Sequence, residues 1–485
     1  MLFNSYEFLI FLPIVFLLYW FVFKNRRWQN LLVVVASYVF YGWWDWRFLL
    51  LIVFTSLCSY VSGLLLEKYE GRRGIQKTIS AANIVVNLAI LGFFKYFNFF
   101  VESLSSLVSG VFGYELGWVT INIILPVGIS FYTFQALSYS IDVYKHSIKA
   151  THDPIEFFAY ISFFPQLVAG PIERATNLLP QFQNKRHFDY AKSVDGLRQM
   201  LWGFFKKLVV ADNCAAIVNQ YWGQYQELSG LMLFILGVLF TFQIYCDFSG
   251  YSDIAIGCAR LFGINLMRNF NFPYFSRSIP EFWRRWHISL TTWFRDYIYF
   301  PLGGSRCSKW KTIRNVFIVW GISGLWHGAN WTFVCWGLYH AVILNIYNIL
   351  GIKTKREDEP KLVGWEGGHF GLNYKDFARI LLTFILAVFG WIIFRAESMS
   401  QAVNYFSAIF TGGFFGGPVY GQQELILCAI LIVIEWLQRD KQHALQFGNI
   451  RLFQSRLVRW GVYYLLLVAI AYFAGASQTF IYFQF

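Results

Sequence analysis

Charged side chains are scarce. Asp, Glu, Lys and Arg make up 14% of the 485 residues, against about 25% in an average soluble domain. That leaves too little polar surface to keep a chain of this size dissolved, and a soluble globular enzyme is excluded. Acids are scarcer than bases: 27 Asp and Glu against 40 Lys and Arg give a formal charge of +13. The seven cysteines (58, 214, 246, 258, 307, 335 and 428) include no C-x-x-C pair and no Cys/His cluster at zinc spacing. No metal site or disulfide frame is expected, and they read as small apolar packing residues. There is no internal repeat, so transporters built from duplicated bundles gain no support. The first apolar run, 6–23, has no basic flank before it and no A-x-A site. It reads as a retained helix, not a cleaved signal peptide.

What the chain does have is apolar surface: 57% of residues are hydrophobic and 21% aromatic, and the mean hydropathy is +0.45. Stretches long enough to cross a hydrocarbon core of roughly 30 Å recur throughout. Candidate spans fall at 6–23, 31–44, 47–66, 79–101, 119–143, 199–218, 231–247, 376–395, 422–437 and 460–482. The expected fold is an all-α polytopic membrane protein. About 10–12 transmembrane helices, with re-entrant and interfacial amphipathic helices, would surround a central tunnel in a single domain, 1–485. Membrane lipid is the first partner.

The positive charge fits this class without nucleic acid, because Lys and Arg crowd cytoplasmic loops. Lys24, Arg26 and Arg27 follow the first span, and Lys68, Arg72, Arg73 and Lys77 follow the third. The connections 102–118, 219–230 and 397–422 carry no Lys or Arg. Both termini are therefore expected on the extracytoplasmic side, and 353–376 is expected to be a cytoplasmic loop. Two regions do not read as simple spans. The apolar segment 155–171 is short and broken by Pro165 and Gly170-Pro171, which suggests a re-entrant element. Residues 260–314 hold ten Lys or Arg but only Glu281 and Asp296 as acids, which places them on the cytoplasmic side.

Several constellations could carry chemistry. Ser278-Ile-Pro-Glu281 has the form of a capping box with an early proline, and one amphipathic helix, FWRRWHISLTTWFRDYIYF, is expected after it. Trp286, Leu290, Trp293, Tyr297 and Phe300 would share a face lying at headgroup depth. Alternatively Arg284, Arg285 and His287 face a cavity that admits an anionic substrate. The run 315–352 contains no Asp, Glu, Lys or Arg over 38 residues, yet Arg314 and Lys353 flank it. Both ends must then lie on one side, so the run enters and returns, or is buried in protein. His327 in SGLWHGANW, between Trp326 and Gly328 with Asn330 beyond, would sit near the bend. A charged imidazole is costly there, so a neutral one able to accept a proton is expected. Function outweighs packing for His327, and packing outweighs function for His340. Tyr245, Asp247, Ser249 and Asp253 interrupt an apolar helix, either lining a polar cavity or fixing helix packing. Gln135, after the proline kink of LPVGISFYTFQ, is a candidate wall residue.

The stretches LPVGISFYTFQALSYSIDVY, FFPQLVAGPIER, YCDFSGYSDIAIG, FWRRWHISLTTWFRDYIYFPLGG, SGLWHGANWTFVCWGLYH, GWIIFRAE and the FIYFQF ending occur in this order along almost the whole chain. Together they resemble the membrane-bound O-acyltransferase (MBOAT) family. The similarity is to its bacterial branch that modifies cell-surface polymers, nearest the members that serve alginate O-acetylation. The resemblance implies that His327 is the family's essential buried histidine and His287 its second histidine. It implies transfer of an acyl group, usually acetyl, from a cytoplasmic thioester such as acetyl-CoA or an acyl carrier protein, with no bound cofactor. A periplasmic or extracellular acetyltransferase partner would then place the group on a polysaccharide. In this scheme His327 takes the proton, and His287 hydrogen-bonds the thioester carbonyl or orients the donor. Arg284, Arg285, Gln135, Tyr245, Asp247, Ser249, Trp326 and Asn330 would contact substrate. The expected location is the bacterial inner membrane. D-alanyl transfer to teichoic acid and O-acetylation of peptidoglycan are the alternatives within enzymes, and transport of an anionic metabolite is the alternative outside them.

Overall fold

A computed structural model of the chain describes residues 1–113, 121, 123–352, 373–411, 413–448, 450–475 and 478–481. Every regular element among them is helical. In hydrocarbon each backbone N–H and C=O needs a partner, and a helix supplies it within the segment. The all-α polytopic class is borne out. Six helices among the described residues are long and apolar enough to cross a membrane: Trp46–Lys68, Arg73–Phe112, Gly230–Leu261, Trp331–Ile349, Tyr374–Arg395 and Arg456–Phe473.

The sequence suggests ten or more, and the difference lies in length. Arg26–Gly42 has 17 residues, and Ile129–Tyr144 and Gln422–Leu437 have 16 each. At 1.5 Å per residue these reach only about 24–26 Å, short of a full core. The 199–218 candidate is part of a stretch whose helix widens into a π turn at Phe205–Ala211. Arg73–Phe112 departs in the other direction, with 40 residues or about 60 Å. Part of the 119–143 candidate, most of the 353–376 loop and the last four residues of FIYFQF lie outside the described residues.

The chain packs as two compact units, Met1–Lys192 with Ala259–Leu266, and Ser193–Cys258 with Met267–Phe485. In the first unit the 155–171 segment is two short helices, Pro154–Ser162 and Phe164–Leu167. Asp153 caps the first, accepting from Ile155 N at 2.9 Å, and Pro154 opens it. The break is covered by protein: Phe164 N donates to Ser37 Oγ at 3.0 Å, and Gln166 Nε2 donates to the Tyr160 carbonyl at 3.0 Å. Irregular backbone is tolerated at membrane depth under that condition. Arg186 is buried beside it, donating to Asn30 Oδ1 at 2.6 Å and stacking on Tyr19.

The second unit is built on Gly230–Cys258, the deeply buried length of the Gly230–Leu261 helix. Its outer elements carry their apolar side chains outward: Leu457, Leu465 and Tyr472 of Arg456–Phe473 are all exposed, as a lipid-facing helix requires. The uncharged 315–352 run folds back on itself. Lys309–His327 and Trp331–Ile349 form a hairpin, and Lys309 Nζ at its start reaches the Ile349 carbonyl at its end, 3.4 Å away. Glycine makes the close approach feasible. A Cβ at Gly324 would lie 2.3 Å from the Phe333 carbonyl oxygen, and one at Gly337 would lie 2.2 Å from that of Trp320.

Candidate active site

His327 is the last residue of the first hairpin helix. Its ring is buried among Trp326, Trp336 and Phe394, with centroids 5.0, 4.9 and 5.4 Å away. Asn330 caps the return helix, accepting from Thr332 N at 3.0 Å, and its Nδ2 donates to the Glu397 carbonyl at 2.8 Å. This holds the bend that places His327.

His287 reaches its place through a broken helix. One helix was expected after Ser278, and the cap is present, with Ser278 Oγ accepting from Glu281 N at 3.2 Å. The helix stops at Arg285, however, and a new one begins at Ile288. Between them His287 takes a left-handed conformation, φ 43° and ψ 53°, which costs a side-chain-bearing residue about 1–2 kcal/mol. Residues 269–271 hold the break: Ile288 N donates to the Asn269 carbonyl and Asn271 N to the Arg285 carbonyl, both at 2.9 Å. Apolar periodicity alone carried the helix through this point, because the segment that interrupts it lies earlier in the chain. Trp286 and Trp293, expected on a face at headgroup depth, are buried in protein.

One cleft of about 320 Å³ receives both histidines, together with Trp283, Arg284, Trp320 and Ser323. Arg295 and Tyr299 also line it. Burial pushes the His287 imidazole down to about 3, so it is neutral at physiological pH. The cleft therefore joins two imidazoles to guanidinium charge, in space sufficient for a small acyl donor group.

The other candidate residues are placed elsewhere. Arg285 bonds Glu281 at 2.8 Å, and Arg277 bonds the same carboxylate at 3.2 Å. Tyr245 donates to Glu435 at 2.9 Å. Asp247 pairs with Lys207 at 2.7 Å and accepts from Ile481 N at 2.7 Å. Ser249 accepts from Lys206, which pairs with Asp253 at 2.6 Å. Tyr245, Ser249, Lys206, Asp253 and Glu435 form a buried ionic network around a small polar pocket, Arg285 with Glu281 and Asp247 with Lys207 are further buried pairs, and none of these lines the cleft. Gln135 belongs to the first unit, tied to the Tyr160 carbonyl at 2.7 Å. Trp326 touches both histidines edge-on without lining the cleft. His340 accepts from Trp283 Nε1 at 3.3 Å in a packed aromatic cluster, which is a packing role. Sequence reasoning missed the cleft walls Trp283 and Trp320, and Asn269 beside His287. The adjacent Lys206-Lys207 pair in an apolar stretch was the legible sign of the ionic network.

Comparison with known proteins decides the family. Over 415 residues the chain is 41% identical to a probable alginate O-acetylase of Pseudomonas aeruginosa, covering 85% of this chain and 75% of that one. The chain belongs to the membrane-bound O-acyltransferase family. The family pattern matches residues 146–350, which contain both cleft histidines. A peptidoglycan O-acetyltransferase of Helicobacter pylori is 30% identical over all of this chain and 98% of its own. A teichoic acid D-alanyltransferase of Bacillus subtilis is 29% identical over 57% of this chain and 70% of its own. As a membrane-bound O-acyltransferase the protein is a multi-pass membrane enzyme that transfers acyl groups.

Proposed function

We propose that the protein O-acetylates a cell-surface or exported polysaccharide. Acetyl would be taken from a cytoplasmic thioester, acetyl-CoA or an acyl carrier protein, and passed through the bacterial inner membrane to an extracytoplasmic acetyltransferase partner. The observation that carries this reading is the single cleft in which His287, His327 and Arg284 meet, in a chain 41% identical to a probable alginate O-acetylase.

The chemistry follows from the groups present. An acceptor hydroxyl gives its proton to the His327 imidazole as its oxygen attacks the thioester carbonyl carbon. The C–O bond forms and the C–S bond breaks. The sulfur then takes the proton back from the imidazolium, so thioester and alcohol become ester and thiol. Arg284 offers the cleft a cationic partner for an anionic donor. Basic residues gathered between 260 and 314 put the cleft's donor side toward the cytoplasm, and the same rule puts both termini outside.

Peptidoglycan O-acetylation and D-alanyl transfer use the same cleft chemistry and differ in acceptor or acyl group. Transport of an anionic metabolite would use the arginines without covalent chemistry. Proteoliposomes holding the full chain, with the partner acetyltransferase and an acceptor polysaccharide inside and radiolabelled acetyl-CoA outside, separate the classes. The proposal expects free thiol release and labelled ester. Uptake of intact acetyl-CoA with no thiol released would favour the transporter.

A further inference from the structure

Asn269 is placed to decide which nitrogen of His287 carries the proton. Its Oδ1 lies 3.2 Å from His287 Nδ1, 2.9 Å from Ser289 Oγ and 3.3 Å from Ser289 N. A backbone N–H can only donate, so the atom it meets is the amide oxygen. The other end agrees, since Asn269 Nδ2 points to Ser252 Oγ at 3.3 Å. An amide oxygen cannot donate, and although Ser289 Oγ also lies 3.4 Å from Nδ1, its proton goes to the nearer Asn269 Oδ1 at 2.9 Å, which leaves His287 Nδ1 to donate and carry the ring proton. In a neutral imidazole the other nitrogen, Nε2, then holds a lone pair.

The backbone reinforces the arrangement. The same residue that bonds the ring also bonds the main chain across the break, through Ile288 N to the Asn269 carbonyl at 2.9 Å. Asn269 thus fixes both the left-handed turn and the ring that the turn presents. His287 lines the cleft and Asn269 does not, Asn269 lining the polar pocket behind it. Nδ1 faces Asn269, so Nε2, itself a buried atom, is on the ring edge away from Asn269.

We infer that Asn269 is a positioning residue that locks His287 as the Nδ1–H tautomer, so that in the cleft His287 accepts a hydrogen bond and does not donate one. Such a ring has no N–H for a thioester carbonyl. It belongs on the acceptor's side of the reaction, holding by its O–H a second hydroxyl of the acceptor or a water, beside the hydroxyl whose proton His327 takes. The chemical meaning rests on the acyl-transfer reading, but the tautomer can be read without any turnover.

The test is nitrogen NMR of the full chain, labelled with ¹⁵N-histidine, in detergent or nanodiscs. The His287 signals are assigned by their loss in His287→Gln. The expected spectrum has Nδ1 protonated and Nε2 bare, and a bare Nδ1 in the folded wild-type protein overturns the inference. Asn269→Leu should let the tautomer mix or switch, and an unchanged tautomer in that folded variant overturns it too. Asn269→Asp keeps the acceptor and adds a charge. The groups that face the pair are Arg284, Arg295, Tyr299 and His327 in the cleft, with Lys206, Arg268, Asp253, Glu435 and His443 around the pocket behind. Against that background a new carboxylate within hydrogen-bond distance should raise the His287 pKa by about one to three units. Turnover of Asn269→Asp should then fall at acid pH, on a limb displaced upward by that amount, and recover toward alkaline pH. A uniform loss with no displaced limb would mean that Asn269 is only structural. If the tautomer is as expected while no variant or wild type transfers acetyl, the functional reading fails and this one stands.

Discussion

At the scale of the residue, the two histidines differ in how they are held. His327 sits in an aromatic box at a hairpin tip, whereas His287 is held in a strained turn by Asn269. Burial lowers His287 to about 3, against about 6.5 in an unfolded chain. Between those values the unfolded chain binds the extra proton, so stability rises with pH through that window and is fully present above about 6.5. His287→Gln removes this dependence. The gap in unfolding midpoint between wild type and His287→Gln should therefore narrow as pH falls from about 7 to about 5, which thermal unfolding in detergent measures. The neighbouring arginines separate likewise. Arg284 lines the cleft, and a charge-assisted hydrogen bond is worth about 1.5–3 kcal/mol, so Arg284→Gln should raise the donor KM at least about tenfold with the fold intact. Arg285 serves Glu281, so Arg285→Gln should lower the unfolding temperature with a smaller effect on KM. Steady-state kinetics and melting of both variants check the pair.

At the scale of the element, the charge-free run and its basic flanks were enough to foresee a hairpin with His327 near its bend, because period and charge are written locally. The break at His287 was not legible. It depends on backbone bonds to 269–271 that no local pattern encodes, and a continuous helix satisfied the same apolar spacing. The stretch 245–253 was legible as polar but not as a network, since its partners Lys206, Lys207 and Glu435 come from other helices. The hairpin also makes a packing prediction. Gly337 abuts the Trp320 carbonyl, so Gly337→Ala must push backbone apart, at a cost of about 1–3 kcal/mol. Its unfolding midpoint should fall measurably; an unchanged midpoint would show that the helices do not pack so closely.

At the scale of the whole molecule, the class was legible in composition; among the described residues six helices have the length and apolarity of a span, and hydropathy does not register where a helix stops at 16 or 17 residues or loosens into a π turn. Sidedness rests on charge alone. Arg306, exposed beyond the cleft in the basic region, should be cytoplasmic. In an Arg306→Cys variant made in a background with the native cysteines replaced, a membrane-impermeant thiol reagent should label that position in inverted vesicles and not in intact cells. Labelling from outside would reverse the donor route. The central claim is that His327 takes the proton in acyl transfer, and one measurement addresses it most directly: acetyl transfer by folded, membrane-inserted His327→Ala against wild type. A positioned general base contributes about 10²- to 10⁴-fold, and a loss of that size, with an unchanged melting profile, is the predicted result. Near-normal transfer by the folded variant would contradict the account.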